Sequence, residues 1–239
     1  MGEREKHLRP FWTLWIGQAI SLLGSRVVQF GIIWYLTEET GSATVLAMAS
    51  LVAFLPQVVL GPFVGVLVDR WNRRRTMLAA DIVIALATLG LAALFWGGWV
   101  QTWHVFVLLF VRALGGSFHF PAMQASTTLM VPEKMYTRVQ GMNQTLQGAL
   151  GIVAAPLGAL LLAVLPMGQL LLIDVATALF AIVPLFFIFV PQPKKKETAV
   201  GVKPATFWQD MRAGLAYVWS WPGILLLMTL ACFIERRER

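Results

Sequence analysis

Six apolar runs, each long enough to cross a lipid bilayer, fill most of this 239-residue chain and leave only short polar stretches between them. A bilayer core is crossed by about 20 apolar residues in helical form. The runs cover 11–36, 43–68, 76–96, 104–129, 139–165 and 170–190. Lipid offers no partner to an unpaired peptide group, so segments of this length must satisfy their backbone internally, as helices do. The expected fold class is therefore all-α: a polytopic membrane bundle of six transmembrane helices. Residues 1–10 read as a cytoplasmic N-terminus and 11–190 as the bundle. A Pro- and Lys-rich linker with an amphipathic surface helix is expected over 191–222, where Phe207, Met211, Leu215 and Val218 recur at helical spacing. The last stretch, 223–239, starts a seventh apolar run that Glu235 cuts off too early to span, the pattern expected of a truncated seventh segment.

Composition places the chain in the same class. Hydrophobic residues make up 58% and charged residues 13%, more apolar material than one globular core can hide. The net charge of +7 raises the question of nucleic acid, and the placement of the charges answers it. Lys and Arg gather in the loops at 4–9, 70–75, 134–138 and 194–212 and in the last four residues, leaving only Arg26 and Arg112 inside apolar runs. No basic face interleaved with aromatic residues is present, so no nucleic-acid partner is expected. These basic loops alternate with acidic or uncharged ones, which by the positive-inside rule puts the N-terminus and every basic loop in the cytoplasm and 97–103 outside. Trp34 and Tyr35, then Trp96, Trp99 and Trp103, stand where an interfacial aromatic belt belongs. The charged start is no signal peptide: the apolar run after it is too long and carries no cleavage site. Cys232 is the single cysteine, so neither a disulfide framework nor a Cys-based metal site is available, and no metal or cofactor is expected.

Polar residues inside such runs are costly and so point to sites. In the first run Gln18, Ser21, Ser25 and Gln29 share one stripe with Arg26 at its edge; in the fourth, Arg112, Gly116 and His119 share one face. The fifth run carries Gln140, Asn143, Gln144 and Gln147, followed by Gly148, Gly151, Ala155 and Gly158. A central cavity binding a small molecule is expected from Gln18, Ser25, Arg26, Gln29, Arg112, His119, Asn143, Gln144 and Gln147. Plain interhelical hydrogen bonding remains open for the serines, and a packing histidine for His119. Pro156 bends the fifth helix, as a functional feature or an ordinary kink. For Asp81, pairing with the arginines of 70–75 or with Arg138 is favoured over substrate binding. Asp174 is placed near the outer end of the sixth run, either hydrated or helping the helix start, with transport chemistry as the alternative.

Between the second and third runs stands Gly61-Pro-Phe-Val-Gly65-Val-Leu-Val-Asp69-Arg70-Trp-Asn72-Arg73-Arg74-Arg75. Gly61 and Gly65 are spaced to let two helices approach closely, and Asp69 with Arg70, Arg73 and Arg74 forms an ion-pairing cluster at the bilayer surface. The stretch resembles the Gly-x-x-x-Asp-Arg-x-Gly-Arg-Arg signature between helices 2 and 3 of major facilitator superfamily transporters. Asn72 holds the position of the family's glycine and is among the few residues that tolerate a left-handed backbone. Arg112-Ala-Leu-Gly115-Gly116 resembles the family's helix 4 motif, and the run from Gly151 through Pro156 and Gly158 to Ala159 resembles its helix 5 antiporter motif, with alanine for glycine at 155 and 159.

The whole is similar to the six-helix N-terminal half of that superfamily, and more narrowly to the macrolide-efflux branch of bacterial drug exporters. Segments such as Gly17-Gln-Ala-Ile-Ser21-Leu, Phe54-Leu-Pro56 and Phe118-His-Phe-Pro-Ala122 carry the narrower likeness. The resemblance implies a bacterial plasma-membrane protein that exports amphipathic small molecules in exchange for protons, rocking against a C-terminal six-helix half that this chain lacks. It also implies proton coupling at Arg112, and a conformational switch built from Gly61, Gly65, Asp69, Arg70, Arg73, Arg74 and Asp81. Unlike many proton-coupled exporters, the first run holds Arg26 and no carboxylate. A non-transporting remnant and a paired half-transporter stand as alternatives. An enzyme is disfavoured, because Asp81, His119 and Asp174 lie on three different runs with no nucleophile or metal-ligand motif beside them.

Overall fold

The computed structural model describes residues 2–192 and the isolated positions 212, 216 and 220. Six helices account for nearly all of the continuous part: α1 (Gly2–Thr40), α2 (Ala43–Arg70), α3 (Arg73–Gly97), α4 (Thr102–Leu129), α5 (Tyr136–Val164) and α6 (Met167–Phe187), with a short 3-10 turn at Glu133–Met135. Each contains a stretch long and apolar enough to cross a membrane. Each expected run falls on one helix, except that the fifth outlasts α5 by one residue and the sixth outlasts α6 by three. The first helix begins at Gly2, so the stretch expected as a separate N-terminus continues α1. The expected linker beyond Gln192, its surface helix and the seventh segment lie outside the described residues, apart from the three isolated positions.

Local chemistry sets the breaks between helices. Gly41 takes a positive φ of 56°, and Ser42 caps α2 by accepting a hydrogen bond from the Val45 amide at 3.4 Å. Gly98, at φ 70°, ends α3 in the left-handed conformation that glycine adopts freely. At the α2–α3 turn the expected left-handed Asn72 is not found: its φ is −71°, and its side chain accepts from the Arg75 amide at 3.1 Å. Asparagine serves there as an N-cap, satisfying one of the orphan donors of α3, so the turn does not need the backbone freedom of glycine.

The helices pack as an interlocked set, α1 against α6 and α5, α3 against α4 and α6, and α2 against α4. Val28, Ile32, Leu91, Leu109, Leu170 and Leu171 form the centre of one buried cluster; Leu14, Val64, Val68, Met77 and Leu185 form a second. Along the α1–α6 seam, a Cβ at Gly17 would strike the Phe180 carbonyl, one at Gly24 the Thr177 side chain, and one at Gly31 the Leu170 side chain. Lipid supplies no hydrophobic drive between helices, so such close small-residue contacts hold the seam. Gly158 behaves the same way, with Phe30 Cδ1 2.7 Å from where its Cβ would stand. The close approach expected at Gly61 and Gly65 is not made, nor is one at Gly148 or Gly151: among the described residues nothing lies within 4 Å of a Cβ placed there. The reason is rotational, because α2 turns Val64 and Val68 into the core and α5 turns Leu150, Ala154 and Gly158 inward.

Candidate functional site: a polar cavity between two buried ion pairs

The polar stripes of α1 and α4 face each other, α2 and α3 close the sides, and a cavity of about 390 Å³ is left between them. Gln18, Ser25, Arg26, Gln29, Arg112 and His119 all line it. Asn143, Gln144 and Gln147 border instead a hollow of about 40 Å³ between α4 and α5. Arg26 Nη2 donates to Gln147 Oε1 at 3.0 Å and so joins the two groups. Asn143 is engaged: its Oδ1 accepts from Trp15 Nε1 at 2.8 Å and its Nδ2 donates to Gln124 Oε1 at 3.2 Å. The sequence reading missed Trp15, which does not break the pattern of its run, and Gln124, which as a polar residue inside the fourth run carried the same signal as its neighbours. A larger hollow of about 650 Å³ opens beside the α2–α3 turn near half-exposed Trp71 and Val83. Its walls between α3 and α4 are mainly apolar, and the converging polar groups that define a binding site lie in the smaller cavity.

Behind one wall of the cavity Arg112 is locked. Its Nη1 donates to Asp174 Oδ2 and, at 3.2 Å, to Thr88 Oγ1, while its Nη2 donates to the Ser25 carbonyl at 3.1 Å. The other carboxylate oxygen of Asp174 accepts from Ser25 Oγ at 2.8 Å. Four helices, α1, α3, α4 and α6, meet in this knot. Asp174 is only 2% exposed, so neither the hydrated position nor the helix-start role expected for it holds. Two turns into α6 it faces the bundle, where a carboxylate persists only with a cation and further donors around it. Thr88 was not singled out from the sequence; its place two turns beyond Asp81 on the same face of α3 was the available signal.

The second pair lies lower on the same cavity. Asp81 accepts from Gln18 Nε2 through Oδ2 at 3.4 Å, and its Oδ1 lies 3.3 Å from His119 Nε2. That contact is close enough for ion pairing but out of line for a hydrogen bond, and Nε2 is buried without a hydrogen-bond partner. Asp81 thus does not pair with the arginines of 70–75 or with Arg138, as the sequence reading favoured. Eight residues beyond Arg73, it sits about 12 Å up the helix axis, out of their reach.

The arginines have other work. Arg73 Nη2 reaches Asp69 Oδ1 at 3.3 Å, and its Nη1 donates to the Ala125 carbonyl in the last turns of α4 at 3.1 Å. The Arg73 amide donates to Gln192 Oε1 at 3.1 Å. Arg74 donates to the carbonyls of Leu185 and Phe186, the latter at 2.6 Å, at the end of α6. Cations at helix C-termini satisfy orphan carbonyls and oppose the negative end of the dipole. The loop read from sequence as an ion-pairing cluster is therefore mostly a clamp on the ends of two other helices, with Asp69 itself largely exposed.

Six membrane-length helices around a charged polar cavity define a multi-pass membrane bundle of the transporter type. The chain belongs to the Major Facilitator Superfamily, whose profile matches residues 14–234. It is 40% identical over 227 residues to macrolide efflux protein A of Streptococcus pyogenes, covering 94% of this chain and 55% of that protein. Macrolide efflux protein A of Enterococcus faecalis is 37% identical over 197 residues, 81% of this chain and 60% of its own length. A more distant relative, the multidrug efflux pump Tap of Mycobacterium bovis, is 24% identical over 166 residues, 67% of this chain and 39% of its own. The chain thus spans 55% and 60% of the length of these two macrolide efflux proteins and 39% of that of Tap. No solved structure matches it.

Proposed function

We propose that this bundle serves proton-coupled efflux of amphipathic small molecules of the macrolide class, working opposite a second six-helix bundle. The observation that carries the reading is the convergence of Gln18, Ser25, Arg26, Gln29, Arg112 and His119 on one cavity in a chain 40% identical to a macrolide efflux protein. Amides and hydroxyls orient a ligand in such a cavity, while Ile33, Phe54 and Leu109 supply apolar wall. The neighbouring Asn143, Gln144 and Gln147 extend the same polar track toward α5. Alternating access needs two repeats that rock around a shared site, and the uncovered glycine faces of α2 and α5 suit contact with the second one. The motif of Gly151, Pro156 and Gly158 then belongs to the moving interface, and the loop with Asp69, Arg70, Arg73 and Arg74 to the switch at the cytoplasmic surface. In this reading the basic loops face the cytoplasm of a bacterial cell and residues 97–103 face outward.

The test compares the chain alone with the chain joined in frame to the C-terminal half of the Streptococcus pyogenes relative, both expressed in drug-sensitive cells. Accumulation of a labelled macrolide is expected to fall in a proton-gradient-dependent way for the joined protein only. Undiminished accumulation in cells making well-inserted joined protein overturns the efflux reading. Export by the short chain overturns the need for a second bundle and points to paired copies. Single-cysteine labelling in a Cys232-free background checks orientation, and external reaction at position 195 reverses it.

A further inference from the structure

We propose that Asp81 and His119 together hold the proton that this bundle exchanges, while Arg112 and Asp174 form a fixed structural pair. The proposal rests on the efflux reading above for its purpose, and on the geometry of the two pairs for its substance.

The Asp81–His119 pair is incompletely bonded. Both side chains are about nine-tenths buried, His119 Nε2 has no hydrogen-bond partner, and Asp81 keeps one long bond, from Gln18. A buried ring nitrogen without a partner is unfavourable, and two rearrangements relieve it. With a proton on Nε2, a small turn of the ring makes an N–H donor toward Asp81 Oδ1, 3.3 Å away. In the neutral ring with its hydrogen on Nδ1, the Nε2 lone pair accepts from water in the cavity that both residues line, and it is this tautomer that takes up the proton. The step is balanced as written: a proton leaves hydronium or water, adds to the Nε2 lone pair and returns to water on release. No other bond in the protein is made or broken except hydrogen bonds.

The charges around the pair favour two stable states. From α1 the cavity receives Arg26, from α3 Asp81, and from α4 Arg112 and His119. α2 adds only uncharged side chains to the lining, and α5 and α6 add none. Behind the wall, Asp174 of α6 neutralises Arg112. Arg26 and Asp81 then cancel, so the cavity is neutral with His119 neutral and carries one positive charge with His119 protonated. Neither state strands more than one net charge in the membrane. The Arg112–Asp174 pair has no such freedom. A guanidinium does not give up its proton in a protein, and protonating Asp174 would sacrifice charge-assisted bonds from Arg112 as well as the donor bond from Ser25.

The chain contains three histidines, so a His7→Gln, His104→Gln background leaves His119 alone to be observed. Purified in lipid nanodiscs with ¹⁵N-labelled histidine, the chain is expected to show a one-proton transition of the His119 ring between about pH 5 and about pH 9. Asp81→Asn is expected to move that midpoint by about one pH unit or more. Asp81→Glu, which keeps the charge, should retain the transition and guards against a folding artefact, as should an unchanged circular dichroism spectrum. A ring that keeps one protonation state across the range, or a midpoint indifferent to Asp81→Asn in folded protein, overturns the proposal. The readout needs no transport, so the two readings fail separately. A missing transition alongside export by the joined protein sinks the proton site alone, and a normal transition with no export sinks only the efflux reading.

Discussion

The two buried pairs of this bundle, each a carboxylate facing a nitrogen base, are alike on paper and opposite in construction. Arg112 and Asp174 are held by a guanidinium fork, two hydroxyls and a backbone carbonyl, across four helices. Asp81 and His119 touch at 3.3 Å without a hydrogen bond and share the cavity with solvent-sized space. The difference teaches that burial of a charge does not by itself mark a working group. What matters is whether its partners are saturated. A saturated pair resists any change of protonation and therefore stabilises one structure, whereas an undersatisfied one stands near a balance that a single proton tips.

The largest effect that can break this comparison is expected from Asp174→Asn. It leaves Arg112 charged and uncompensated, which costs on the order of 3–5 kcal/mol. Unfolding of the purified chain in mixed micelles measures it, and Arg112→Met combined with Asp174→Leu should restore most of the loss. If the single change costs no more than His119→Gln, the pair is not the lock described here.

Next in size is Gly17→Ala on the α1–α6 seam, the seam that farther along also carries Ser25 and Asp174 of the knot, where the new methyl meets the Phe180 carbonyl. Overpacking of this kind costs about 1–3 kcal/mol. Gly61→Ala, with nothing described within 4 Å, should leave the stability of the same chain within about 0.5 kcal/mol. Equal losses in the two variants would show that the locked side is no tighter than the rest of the bundle.

A smaller effect, about 1 kcal/mol, is expected from His119→Gln on the open pair, because Gln18 still holds Asp81 and the cavity admits water. A loss as large as that of Asp174→Asn would erase the distinction between the pairs. The smallest belongs to the surface clamp. Asp69→Asn removes the charge of exposed Asp69 while leaving an amide oxygen to accept from buried Arg73, and should change stability by about 0.5 kcal/mol or less. In the joined protein it should slow export more than it weakens substrate binding, and parallel loss of both would reduce the loop to a structural turn.

Much of this architecture was legible before any coordinates. The apolar runs located all six helices, and helical spacing assembled Gln18, Ser25, Gln29, Arg112 and His119 onto faces that do meet at one cavity. The failures are of long-range contact. Asp81 was assigned to the arginines of 70–75 or to Arg138, Asp174 to hydration or the helix start, and Asn72 to a left-handed turn; they instead meet His119, Arg112 and the Arg75 amide. Arg73 does pair with Asp69 as expected, and nothing in the sequence signalled that Arg73 and Arg74 also reach the carbonyl ends of α4 and α6. Asp174 and Arg112, for example, are separated by 62 positions. The glycine pair at 61 and 65 failed in the same way, because spacing identifies a smooth face without saying whether another helix lies against it.

What the sequence determined by itself is the membrane address, the number of helices and the polar face of each. These follow from one-dimensional quantities, since a bilayer of given thickness demands helices of given length and a turn of 3.6 residues sets which side chains align. Only the tertiary structure decided which pair is locked and which is open. That outcome depends on the rotation and depth of each helix against its neighbours. A shift of one residue turns a side chain by about 100° and carries it about 1.5 Å along the axis, enough to separate a hydrogen bond from a near miss.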